Sequence, residues 1–131
     1  MMAGSLRRVS GFLPVCFLLV MLCPVDRVFA GEADVVAVEA RQGSDGSWRF
    51  DVTLRHGDEG WDHYADRWDI VGPDGTVYGN RVLAHPHVNA QPFTRSLSGV
   101  VIPDNLVSVV VRGHDLVHGL GGTELLVDLP R

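Results

Sequence analysis

Between Trp48 and Arg55 the chain alternates without a break. Trp48, Phe50, Val52 and Leu54 fall on one side, and Arg49, Asp51, Thr53 and Arg55 on the other. A period of two suits a strand with one face on a core and the other in water, and no helix satisfies it. Shorter runs of the same kind recur along the chain. Asp34 to Ala40 places Val36, Val38 and Ala40 on one face, and Arg67 to Val71 turns Trp68 and Ile70 the same way. Thr76 to Leu83 is apolar on both faces, as an edge strand can be. Ser96 to Ile102 follows, then the alternation of Val107, Val109 and Val111, and last Leu125, Val127 and Leu129. Turn residues separate them: Gln42–Gly46, Gly72-Pro73-Asp74-Gly75 and Pro103-Asp104-Asn105. The pattern predicts an all-β fold of seven antiparallel strands; with Trp68 where such folds place their core tryptophan, it resembles in architecture an immunoglobulin-like or fibronectin-like β-sandwich, without the inter-sheet cysteine pair.

The first thirty residues read differently. Arg7 and Arg8 precede an apolar run from Phe12 to Cys23, and Val28-Phe29-Ala30 has the small-residue pattern of a cleavage site. This is the layout of a signal peptide, and the run is too short to span a hydrocarbon core of ~30 Å. Leu22 stands where a lipoprotein signal has a small residue, which argues against lipidation of Cys23. The expected organisation is a signal peptide over 1–30 and one β-sandwich domain over 31–131. Both cysteines, Cys16 and Cys23, leave with the signal, so the exported part has no disulfide. It has no lysine, and its eight arginines against fifteen acids give a net charge of −7. Scattered single arginines on an acidic chain exclude nucleic acid as an expected partner, and membrane insertion is not expected after cleavage. The expected location is the periplasm, with secretion as the alternative.

If every connection reverses the chain, alternate connections share an end. The first, third and fifth are the short turns above. The second, fourth and sixth are long: His56–Asp66, Ala84–Phe93 and His114–Gly122. They carry all six histidines: His56, His63, His85, His87, His114 and His118. Long loops at one end of a small domain are where function concentrates. In His85-Pro86-His87 the proline enforces an extended backbone, so both imidazoles can face one side. Neutral imidazole suits copper and zinc, and three or four donors must converge to hold either. The expected metal-facing residues are His63, His85 and His87 with His114 or His118. Asp62, Asp66 and Asp115 serve as carboxylate ligands or as acceptors that orient an imidazole. The spacing of His114 and His118 is helical, yet Gly119-Leu120-Gly121-Gly122 favours a turn. Trp61 reads equally as a binding platform and as a residue tucked under its loop. Phe93 is expected to plug the fourth connection onto the sheet.

Gly60-Trp61-Asp62-His63-Tyr64-Ala65-Asp66, His85-Pro86-His87 and Gln91-Pro92-Phe93-Thr94-Arg95-Ser96 together resemble an uncharacterised family of small exported bacterial proteins, a resemblance that implies no activity. No nucleophile elbow, exported cysteine or His-Glu-x-x-His helix points to hydrolysis. The expected function is an exported binding module of the cell envelope, periplasmic or secreted, with a histidine-rich end that binds Cu(II) or Zn(II). The alternative is a domain that binds an envelope protein or small ligand without metal, using Trp61 and Tyr64. A metal-dependent enzyme comes third.

Overall fold

The computed structural model describes residues 31–131; the expected signal peptide, its cleavage pattern and both cysteines lie outside the described residues. Seven strands follow in order: β1 (Asp34–Gln42), β2 (Trp48–Arg55), β3 (Ala65–Val71), β4 (Val77–Val82), β5 (Phe93–Val100), β6 (Ser108–Asp115) and β7 (Leu125–Asp128). They form two antiparallel sheets, one in the order β1-β2-β5 and the other β4-β3-β6-β7, with no helix among the described residues. Both sheets contribute to one core. Trp48, Phe50, Val52 and Leu54 of β2 point inward, as the alternation requires. Opposite them lie Trp68 and Ile70 of β3 and Val109 and Val111 of β6, all almost fully buried. Truncating a side chain such as Phe50 or Trp68 to alanine would cost about 3–5 kcal/mol.

Several strand bounds and registers differ from the pattern; β3, for one, begins at Ala65 rather than Arg67. In β1 a register shift between Val35 and Ala37 changes which side chains face in, so Val35 is buried while Val36 is exposed. An irregular ladder moves one residue off the strict period of two. β5 begins at Phe93 rather than Ser96, because Phe93 pairs with Leu54 and the Thr94 and Thr53 hydroxyls hydrogen-bond at 2.7 Å. β6 runs through to Asp115, so His114 and Asp115 are strand residues and the sixth connection starts after them.

The reversal count holds. Antiparallel pairing within each sheet leaves the second, fourth and sixth connections at one end, where contacts between them build the site described next. Gln91 ties two of these loops together: its side-chain oxygen accepts from the His56 N–H at 3.0 Å, and its amide donates to the His87 carbonyl at 3.0 Å.

A buried aspartate–histidine cluster as candidate metal centre

The inner face of β6 ends on Asp115, which is fully buried. The turn that follows is closed by reciprocal backbone hydrogen bonds between Asp115 and Gly119, with Gly119 in the left-handed region at φ 68°. Oδ1 of Asp115 accepts from the N–H groups of Val117 and His118 at 2.8 and 2.7 Å. The turn fixes this carboxylate and brings His118 beside it, Nδ1 to Oδ1 3.3 Å. Thus the glycine-rich tail gives a turn, and the helical spacing of His114 and His118 has no helix behind it.

The second connection supplies two histidines. A tight turn closed by His63 N–H to the Gly60 carbonyl, with Gly60 at φ 122°, sends the His63 ring inward. His56 follows directly on β2 and is buried. Nε2 of His56 lies 3.7 Å from Oδ2 of Asp115, and Nε2 of His63 lies 3.6 Å from Oδ1. The Gly31 carbonyl oxygen is 3.3 and 3.4 Å from the same two nitrogens. One ligand atom each from His56, His63 and Asp115 fits within a mutual separation of 4.8 Å.

Asp58 decides which nitrogen of His56 is free. This buried carboxylate accepts from the Ala65 N–H at 3.1 Å and from the His87 N–H at 2.6 Å. It also meets Nδ1 of His56 at 2.5 Å, so that nitrogen carries the proton. In the neutral ring Nε2 then presents its lone pair to the Gly31 oxygen and Asp115 Oδ2, which are acceptors themselves. Oδ2 of Asp115 is buried with no hydrogen-bond partner. Buried acceptors turned toward one another repel unless a cation lies between them. With metal–ligand distances of 2.0–2.1 Å, neighbouring donors of a tetrahedral site stand about 3.4 Å apart. The nitrogen–oxygen spacings here run from 3.3 to 3.7 Å, and the ligand atoms of His56, His63 and Asp115 lie within 4.8 Å of one another. Glu59 lies 3.5 Å from Nδ1 of His63, in the position from which a carboxylate orients a ligating ring.

The other named residues are placed differently. The His85 and His87 rings do face one another, with centroids 4.5 Å apart, and His87 stacks on Phe93 at 3.9 Å. Phe93 is buried beneath them. However, Arg95 donates to Nε2 of His87 at 2.8 Å, so that lone pair is engaged and a fixed positive charge stands beside it. Burial foremost, then Arg95 and His85, lowers the His87 pKa from the usual imidazole value, against a smaller opposing pull from Asp58. Among the described residues, Asp58 and Gln91 link this pair to His56 of the Asp115 cluster. His114 sits on the outer face of β6 and bonds Asp66 at 2.5 Å, away from the cluster. Asp62 is exposed. Trp61 is 66% exposed and edge-on to Tyr64 at 5.8 Å, which excludes the tucked position. His56, Asp58 and Gly31 were not singled out from sequence. A signal existed for two of them: His56-Gly57-Asp58 is an imidazole and a carboxylate two residues apart, beginning where a half-buried strand ends.

No protein-family model matches the chain, and no solved structure is similar to it. The chain is similar to a protein named "Putative lipoprotein" from Halomicrobium mukohataei, 44% identical over 97 residues that make up 74% of this chain. The chain spans 47% of that relative's length. This relative supports an uncharacterised family.

Proposed function

We propose that this is an exported β protein of the cell envelope that binds a divalent transition metal, Zn(II) or Cu(II), through His56, His63 and Asp115. The observation that carries the reading is the buried Oδ2 of Asp115, without a partner and 3.7 Å from Nε2 of His56, in a cluster whose three ligand atoms lie within 4.8 Å of one another. Asp58 and Glu59 would hold the two rings in their ligating orientation. Once bound, the metal would supply charge compensation in the core and a Lewis-acid centre. The relative's name supports export to the envelope. The sheet orders β1-β2-β5 and β4-β3-β6-β7, with Trp68 central on β3, support an immunoglobulin-like sandwich over residues 31–131.

The test is metal analysis and melting of the full chain, expressed without a histidine tag and recovered after export. A ligand at 100 times its Kd stabilises by about 2.7 kcal/mol. For a chain of this size each kcal/mol moves the midpoint by ~4–8 °C. Zinc or copper should therefore raise the midpoint by about 10–20 °C. An absent shift, or one that survives in His56→Ala/His63→Ala, overturns the reading.

A second reading keeps the same end without metal. Trp61 is 66% exposed, and Leu116 and Val117 on the sixth connection are exposed as well. Aromatic and aliphatic groups held out on adjoining loops suit a contact with an envelope protein or a small apolar ligand.

A further inference from the structure

Gly31 is the first described residue, and it is buried among the candidate ligands. Its carbonyl oxygen lies 3.3 and 3.4 Å from Nε2 of His56 and of His63. A Cβ at this position would stand 3.1–3.4 Å from the ring atoms of His118, so any larger residue would need that ring to shift by a few tenths of an ångström. The same residue follows the cleavage pattern Val28-Phe29-Ala30. Hydrolysis of the Ala30–Gly31 peptide bond by a signal peptidase adds water across it. The carboxyl group stays with Ala30, and Gly31 gains a free α-amino group.

We propose that removal of the leader completes the metal site: the α-amino nitrogen of Gly31 joins His56, His63 and Asp115 as a ligand, and the finished site is selective for Cu(II). This rests on the metal-binding reading above. Before cleavage the Gly31 nitrogen is an amide, which has no basic lone pair to offer a metal. After cleavage it is an amine, and backbone geometry lets it approach the carbonyl oxygen of its own residue to about 2.7 Å. That spacing lets the residue close a five-membered chelate through nitrogen and oxygen. The donor set becomes three nitrogens with carboxylate and carbonyl oxygens, which suits the tetragonal preference of Cu(II). The metal-binding state would then form only on the exported, processed chain.

The sequence supplies a clean test. No lysine occurs in the chain, so the α-amine is its one aliphatic amine. The full chain is exported and purified, and its starting residue is read by mass. One portion is acetylated with an N-hydroxysuccinimide ester at about pH 8, where about half or more of an α-amine is unprotonated. Hydroxylamine then strips acyl groups from histidine and tyrosine. Cu(II) affinity should fall at least tenfold on acetylation, and one nitrogen coupling should vanish from the Cu(II) resonance spectrum. Bound Cu(II) should also protect the amine from the reagent. The proposal is overturned by a product that starts elsewhere, a lipidated Cys23 included. Equal Cu(II) affinity and an unchanged spectrum after acetylation overturn it as well. In that case binding that is lost in His56→Ala/His63→Ala leaves the metal site standing. If the untreated protein binds no metal, the metal reading falls and this inference falls with it.

Discussion

Two histidine groups share one end of the molecule and differ in what their ring nitrogens face. At Asp115 the free nitrogens of His56 and His63 look onto oxygen acceptors, and one buried oxygen has no partner. At the His85-Pro86-His87 turn the inner ring accepts from a guanidinium and lies flat on Phe93. The first arrangement attracts a cation, whereas the second already contains one. Histidine density marks both equally. Only the polarity of the neighbours separates a candidate metal centre from a packed, hydrogen-bonded turn. Asp58 joins the two, taking the His56 ring proton on one oxygen and the His87 backbone N–H on the other.

The difference can be broken or sharpened by substitution. The largest effect is expected from His56→Ala/His63→Ala, which should abolish the zinc- or copper-induced rise in melting midpoint. Asp58→Asn comes next. Loss of a carboxylate behind a ligating histidine costs about 10–100-fold in metal affinity. The introduced amide keeps one acceptor oxygen, so the NH2 turns toward either the His87 N–H or the Ala65 N–H and His56 Nδ1–H, at about 1–3 kcal/mol of stability in the metal-free protein. Titration calorimetry and denaturant unfolding read the two effects separately.

At the other group, pH is the probe. The folded pKa of His87 lies below its unfolded value, so the unfolded state binds the proton more readily. The contribution of His87 is fully present above about pH 6.5 and is lost as pH falls toward the folded pKa. Stability should decline across that acid range with a slope of at most about 1.4 kcal/mol per pH unit from this residue. His87→Phe should flatten the decline, and an equally steep slope in that variant would show that other groups carry it.

His85→Ala should change metal affinity by less than about threefold, well short of the loss from even a second-sphere carboxylate. A larger change would place that ring in the metal site after all. The smallest effect is expected at His114 of β6 and Asp66 of the neighbouring β3, a partly exposed pair. His114→Ala should cost about 1 kcal/mol or less, with metal binding unaffected.

Much of the frame was legible in the residues. The alternation from Trp48 to Leu54 placed β2 to the residue, because a period of two has one structural solution. The edge position of β4 followed from apolar residues on both its faces. The shared histidine end followed from chain reversals, which need only the strand count. Boundaries were less legible where pairing overrides pattern. The irregularity after Val35 and the early start of β5 at Phe93 depend on partners more than 15 residues away in sequence.

The site itself divides the same way. The sequence determined that all six histidines would fall at one end, since strand parity and loop position are local properties of the chain. Tertiary structure decided which of them meet. Asp115 turns inward and His114 outward because adjacent strand residues face opposite sides, once β6 is known to run that far. His56 joins the centre because Asp58 accepts a hydrogen bond from its Nδ1, and His87 is held apart because Arg95 comes across to its Nε2. Such pairings depend on distances in space between loops far apart in sequence, and no spacing along the chain encodes them.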